Sequence, residues 1–173
     1  NNPYWPLITL CHQSSVHISL SRALILLLLF IGGVHPNPGP VPSSTPRPVV
    51  LQININGLKN SVSELDNFLR ENKISIAAIQ ETFLSAASVS PKFPGYSLVR
   101  KDRPQGRGGG LAFLVHHEIP YTPVDTSFIQ DGHSELLAIR ATINGSELVV
   151  YNVYLPPASS CPATYRPDLT TLL

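Results

Sequence analysis

The chain has 173 residues, of which 43% are hydrophobic and 13% charged, so one domain with a sizeable core is expected and wholesale disorder is excluded. Its formal net charge of +1 gives no strong overall field that would direct it to nucleic acid or acidic lipid. Two cysteines are too few for a disulfide scaffold and do not have zinc-site spacing, so a reducing, intracellular location, nuclear or cytoplasmic, is expected.

The N-terminal region, residues 1–35, contains an uninterrupted apolar run at 23–33. This run predicts a short apolar helix, with about half of the roughly 20 residues that a membrane-spanning helix needs, so no stable membrane insertion is expected. Arg22 before the run also resembles the start of a signal peptide. The competing interpretation is therefore a secreted or membrane-tethered, non-enzymatic domain.

Six of the thirteen residues at 36–48 are proline, which predicts an extended linker between the N-terminal region and a domain at 49–173. Beyond the linker, β-branched runs with a period of two alternate with a helical pattern. Asn144-Gly145 is typical of a tight β-hairpin turn, and Ser61 with Glu64 forms a predicted capping box. The predicted strands are VVLQINI, ISIAAIQE, YSLVRK, GLAFLVHH, ELLAIRATI and ELVVYNVYL, and the predicted helix is NSVSELDNFLREN with Val62, Leu65, Phe68 and Leu69 on one face.

Polar side chains follow the first two of these strands. Asn54 and Asn56 end the first strand, and their spacing predicts that both lie on one face, although a simple strand end and turn is the alternative. Glu81 ends the second strand, and a strand-helix-strand unit can bring the two strand ends side by side. An amide and a carboxylate would then point into the same space, where they could hold a hard cation such as Mg²⁺.

Four motifs, LQININGLK, IAAIQETFL, GRGGGLAFLV and VVYNVYLPP, stand in the order and rough spacing of the endonuclease/exonuclease/phosphatase superfamily with its DNase I-like fold. From Val49 to Leu173 the chain most resembles the apurinic-endonuclease-like domain of LINE-type (non-LTR) retrotransposon polyproteins. The resemblance implies an α/β fold that forms the N-terminal, incomplete part of a four-layer α/β sandwich. It also implies a downstream reverse transcriptase domain in the full polyprotein.

Residue by residue, the resemblance implies that Asn54, Glu81 and Tyr154 are catalytic, that Glu81 binds Mg²⁺ or Mn²⁺, and that Tyr154 helps to hold the scissile phosphate. The substrate implied is DNA, which the parent nicks to prime reverse transcription. A phosphatase or an RNA nuclease of the same superfamily is the alternative. The family's later Gly-Asp-Phe-Asn and Ser-Asp-His motifs do not occur in this chain, so we expect a fragment of a longer product that is inactive alone.

Two further segments carry predictions. The loop at 100–110 supplies cationic side chains that could lie on the DNA backbone, with Asn56 as a further contact, although a solvated flexible hairpin is the alternative. These predicted DNA contacts are Arg100, Lys101, Arg103 and Arg107. Residues 33–40, GVHPNPGP, resemble ribosome-skipping 2A peptides, which would leave the bond between Gly39 and Pro40 unmade. Gly33 and His35 depart from the usual Asp-x-Glu of such peptides, so a relic or a plain linker is the alternative.

Overall fold

The computed structural model describes residues 48–104, 108–127 and 133–165, and the backbone of two strands at 7–11 and 26–29. The described part has nine strands and one α-helix. The strands are β1 (Leu7–Cys11), β2 (Leu26–Leu29), β3 (Val49–Asn54), β4 (Ile76–Gln80), β5 (Tyr96–Lys101), β6 (Leu111–His116), β7 (Tyr121–Val124), β8 (Glu135–Ile143) and β9 (Ser146–Tyr154), and the helix is α1 (Val62–Glu71).

The strands form two sheets. One has five strands in the order β2-β3-β4-β6-β5, and the other has four in the order β1-β9-β8-β7. Strands β3 and β4 are parallel and are joined by α1, whereas β4, β6 and β5 pair antiparallel. The predicted α/β fold is confirmed.

Both faces of the central strands β3, β4 and β6 are buried, which explains why β3 and β4 are apolar almost without interruption. Alternate residues of β3 point to opposite faces, so Leu51 packs in a cluster on the α1 side while Val50 packs in a second cluster against the other sheet. Leu65 and Leu69 of α1 are buried in the first cluster. The helical face predicted from the sequence is therefore the one that contacts the sheet.

The predicted capping box at the start of α1 is wrong. Ser61 is the N-cap residue, but its side chain makes no capping hydrogen bond. A 3₁₀ helix at Leu58–Ser61 continues directly into α1, so the backbone is helical before α1 begins. The Ser61 side chain is buried and does not cap the first turn.

The hairpin predicted at Asn144-Gly145 is confirmed. It joins β8 to β9, and both turn residues have positive φ, 50° and 76°. Strand β7 was not predicted, because Pro123 interrupts its short pattern. Proline is tolerated there because β7 is an edge strand.

The short apolar helix predicted within residues 1–35 is not seen at 26–29, where the structure has β2 pairing antiparallel with β3. A short leucine run fits either element by its pattern, and here the edge of β3 supplies backbone hydrogen-bond partners for a strand. Within the described ranges, no helix is long and apolar enough to cross a bilayer. The 2A-like segment at 33–40 and nearly all of the linker lie outside the described residues.

Candidate functional site

The carboxyl ends of β3 and β4 lie next to each other, as the strand-helix-strand pattern predicts. Asn54 pairs with Gln80 in the parallel register, and Glu81 follows Gln80 directly. Beyond the strands, the Ile55 amide donates to the Gln80 carbonyl at 3.0 Å and the Gly57 amide donates to the Glu81 carbonyl at 2.8 Å. These bonds hold the two chain segments side by side after the regular ladder ends.

The Asn54–Gly57 segment is a tight turn. The Asn54 Oδ1 atom accepts a hydrogen bond from the Asn56 amide at 3.2 Å. Asn56 and Gly57 have φ values of 48° and 108°, a region that asparagine and glycine tolerate better than other residues. The strand alternation that would place both asparagines on one face therefore stops at Asn54, and turn chemistry accounts for Asn56 and Gly57.

Glu81 and Tyr154 come from different sheets and meet at this edge. Tyr154 is the last residue of β9, is 7% exposed, and donates its hydroxyl hydrogen to Glu81 Oε1 at 2.9 Å. Burial, followed by the hydrogen bond to Glu81, raises the pKa of the Tyr154 phenol above its ordinary range. Tyr154 is therefore a neutral hydrogen-bond donor at physiological pH.

Two buried amides join the sheets immediately behind this pair. Gln80 Nε2 donates to the Val153 carbonyl at 2.8 Å, and Asn152 Nδ2 donates to the carbonyls of Ile79 and Ala112 at 2.9 and 3.1 Å. Gln80 precedes Glu81 and Asn152 lies two residues before Tyr154. These bonds therefore fix the sheet-to-sheet spacing at the site.

A carboxylate missed by the sequence reasoning lies beside Tyr154. Glu135 begins β8 and is the cross-strand neighbour of Tyr154. It pairs with Arg103 and accepts the Gly110 amide at 2.7 Å, while the Arg103 guanidinium lies 5.9 Å from the centre of the Tyr154 ring. The signal was available, because a two-residue turn at Asn144-Gly145 fixes the register and places the first residue of β8 opposite the last of β9.

The three glycines at 108–110 pack against the residues that follow β4. The Thr82 amide donates to the Gly110 carbonyl at 3.1 Å, and the Phe83 amide donates to the Gly109 carbonyl at 2.9 Å. A Cβ atom at Gly110 would lie 2.6 Å from Thr82 Oγ1, and one at Gly109 would collide with Arg103 and Glu135. Close packing beside Glu81 is thus the local reason for this glycine run.

Three of the cations predicted to contact DNA have intramolecular partners. Arg100 forms an ion pair with Asp102 at 3.0 Å and donates to the Ser85 carbonyl at 3.0 Å. Lys101 donates to the Leu136 carbonyl at 3.1 Å, and Arg103 pairs with Glu135. Arg107 lies outside the described residues. Of this set, Arg103 is the cation that lies next to Tyr154. DNA contact by Arg100, Lys101, Arg103 and Arg107 stays a prediction.

The oxygen donors at the strand ends suit a hard cation. Glu81 supplies a carboxylate and Asn54 an amide oxygen, and Mg²⁺ commonly uses one or two carboxylates together with water and substrate phosphates. Among the described residues, no group of three or more His, Cys, Asp or Glu side chains converges on one point. The residues present therefore fit one side of an Mg²⁺ site, and Glu81 as its anionic ligand stays a prediction.

Comparison with known proteins gives a family match. A sequence model described as the endonuclease/exonuclease/phosphatase family matches residues 51–171. No curated protein matches the chain.

Solved structures with partial similarity include three enzymes. An AP endonuclease from Archaeoglobus fulgidus is 24% identical, with a TM-score of 0.37, covering 58% of this chain and 38% of its own. Humanized D. rerio TDP2 is 16% identical, with a TM-score of 0.42, and the match covers 62% of this chain and 50% of that one. The Neisseria 3′ phosphatase NExo bound to product DNA hairpin is 19% identical, with a TM-score of 0.37, and the match covers 58% of this chain and 39% of that one. The chain spans half or less of the length of these structures.

Proposed function

Because the chain belongs to the endonuclease/exonuclease/phosphatase family, we propose that it provides the metal-binding and phosphate-binding part of a site that hydrolyses phosphodiester bonds in DNA. The proposed cofactor is Mg²⁺ or Mn²⁺. The observation that carries the proposal is the hydrogen bond from Tyr154 of one sheet to Glu81 of the other, beside the end of β3. A carboxylate, a neutral phenol and an amide, from Glu81, Tyr154 and Asn54, thus lie at one edge of the two packed sheets, here called the rim.

Each residue has a distinct role in this proposal. Glu81 holds the cation, which when bound polarises a phosphate oxygen and favours ionisation of water. Tyr154 stays protonated, and its one hydroxyl hydrogen orients the Glu81 carboxylate in this structure. When a phosphate is bound, the same hydrogen can turn from Glu81 to a phosphate oxygen. Asn54 offers an amide that neither ionises nor repels a phosphate. These three side chains bind and orient the diester before the chemical step.

DNA is proposed as the substrate on two grounds. The motifs of the chain resemble those of LINE-type endonuclease domains, and the Arg103 guanidinium lies against Tyr154, where it adds positive charge beside the proposed phosphate position. The pairing of Arg103 with Glu135 reduces the net charge of this group but leaves it in a fixed orientation.

Metal-dependent DNA binding tests the proposal. Fluorescence anisotropy with a labelled duplex should show tighter binding in Mg²⁺ than in EDTA, and Glu81→Gln should weaken the Mg²⁺-dependent part about tenfold. Glu147→Gln, an exposed carboxylate on β9, is the matched control and should change nothing. Equal binding by wild type and Glu81→Gln would overturn the proposal. Competition by RNA or by phosphorylated inositol that exceeds competition by DNA would favour the other substrates of the family.

The finer proposal concerns the parent protein. The resemblance to LINE-type polyproteins supports an endonuclease that nicks target DNA so that the new 3′ hydroxyl primes a downstream reverse transcriptase. Sequencing the transcript that encodes this chain tests it. A reverse transcriptase domain in the same reading frame is the expected result, and a frame that encodes an unrelated domain would refute the assignment.

The 2A-like segment at 33–40 has its own test. Placed between two reporter proteins in a translation reaction, residues 20–45 should give two separate reporters if the bond before Pro40 goes unmade. Pro40→Ala should give one fused product. A single fused product from the native segment would show that it acts only as a linker.

A further inference from the structure

Phe83 is an exposed aromatic residue beside the proposed site. In the described part of the chain, Phe83 and Val89 are the exposed large hydrophobic residues, and Phe83 is 42% exposed. It follows Glu81 by two residues, with the fully buried Thr82 between them. A large apolar side chain at this rim would be in reach of any substrate held by Glu81.

The backbone of Phe83 is held in an unfavourable conformation. Its φ is 53°, a left-handed value that is uncommon for a bulky residue, and Glu81 has a φ of 54°. Bonds from the amides of Thr82 and Phe83 to the carbonyls of Gly110 and Gly109 fix this geometry. Because the Phe83 ring is only partly buried, its packing contributes only part of the stability that a fully buried phenylalanine would give. That contribution does little to offset the cost of the left-handed backbone conformation.

Glycines on two loops lie close to the ring, and the one at Gly108 is the tighter contact. A Cβ atom at Gly57 would lie 3.5 Å from Cδ2 of Phe83, and a Cβ atom at Gly108 would lie 3.3 Å from Cε1, on the opposite side of the ring. The ring is therefore held between the turn after β3 and the glycine loop before β6. Both of these segments lie at the same rim as Glu81.

We propose that Phe83 is a substrate-contacting residue that stacks on a base of the DNA strand bound at Glu81, and that it favours DNA whose base stack is open next to the bound phosphate. This inference rests on the proposed function. Base faces in a regular duplex are covered by their neighbours, so an aromatic ring reaches one only where bases are unpaired or the duplex is kinked. Stacking on an aromatic side chain accepts any base, so the preference is for structure and not for sequence.

The experiment compares two labelled duplexes of the same length and sequence on the labelled strand, one fully paired and one with a short unpaired bubble. Binding of the 173-residue chain is measured by fluorescence anisotropy in Mg²⁺, with thermal unfolding of each variant measured in parallel. Phe83→Gly removes the ring and suits the positive φ. Phe83→Tyr keeps the ring, and Val89→Ala removes the other exposed apolar side chain as a matched control.

The wild type should bind the bubble more tightly than the paired duplex. Phe83→Gly should weaken bubble binding about fivefold or more while its unfolding temperature is unchanged or higher. Phe83→Tyr and Val89→Ala should keep the preference. Either of two results would overturn this inference and leave the proposed function standing. One is that the wild type and Phe83→Gly bind both duplexes with the same affinity, and the other is that Phe83→Gly fails to fold. Failure of the wild type to bind either duplex would overturn the proposed function with it.

Discussion

Asn152→Ala should destabilise the fold substantially, because Asn152 is a polar side chain that joins the two sheets. It is 0% exposed and donates to two carbonyls of the opposite sheet, at Ile79 and Ala112. Each neutral hydrogen bond contributes about 1 kcal/mol net. Truncation adds the cost of a small cavity and of buried carbonyls that lose a donor, so the free energy of unfolding should fall by about 2 to 4 kcal/mol.

Urea and thermal unfolding followed by circular dichroism measure this change. For a chain of this size the unfolding temperature should fall by about 4 to 16 °C, at about 2 to 4 °C for each kcal/mol. Glu147→Ala, at an exposed position on the same strand, should change the free energy by about 0.5 kcal/mol or less. If Asn152→Ala changes stability no more than this control, the two sheets are not held together by the contacts described.

Three other substitutions, the first with Gly145→Ala as its matched control, test further contacts by urea unfolding. Gly110→Ala should lower the free energy of unfolding by about 2 kcal/mol or more, because its Cβ would lie 2.6 Å from a threonine oxygen and its φ is 85°. Gly145→Ala, with a φ of 76° and open space around it, should lower that free energy by only about 1 kcal/mol. Equal losses in the two variants would contradict the steric argument. Glu135→Gln should lose about 1 to 2 kcal/mol, because it removes the charge that pairs with Arg103, and an unchanged stability would show that the pair contributes nothing. Tyr96→Phe should lose about 1 to 2 kcal/mol near pH 8, because the hydroxyl donates to a carbonyl at 2.7 Å. Burial raises the pKa of Tyr96, so as the pH rises the unfolded chain releases this proton before the folded chain does. Wild-type stability should therefore fall above about pH 10, and the difference in unfolding free energy between the wild type and Tyr96→Phe should narrow. A difference that stays constant with pH would contradict the raised pKa.

The local elements of the main domain were predictable because their signals are short-range. Periodicity placed α1 and six of the strands, and the Asn144-Gly145 turn placed the hairpin. The absence of a side-chain cap at Ser61 was not predictable, because a 3₁₀ helix precedes α1 and nothing in the capping motif reveals it. Strand β7 was missed because an edge strand tolerates Pro123, which normally argues against a strand.

The site was only partly predictable from the sequence. Parallel pairing of β3 and β4 follows from the strand-helix-strand order, so the adjacency of Asn54 and Glu81 was expected. The contact between Glu81 and Tyr154 depends on how two sheets pack, which no local pattern encodes. Asn152 looks like an ordinary polar position in a strand, and its burial between the sheets appears only in the fold.

Glu81, held by Tyr154, is proposed as the anionic ligand of a divalent cation. Mn²⁺ titration of the 173-residue chain, followed by the loss of the free-ion electron paramagnetic resonance signal, tests it most directly. We expect the wild type to bind one Mn²⁺ ion, Glu81→Gln to bind it about tenfold more weakly, and the exposed-site control Glu147→Gln to match the wild type. Mn²⁺ binding that is the same in Glu81→Gln as in the wild type would show that Glu81 is not a metal ligand.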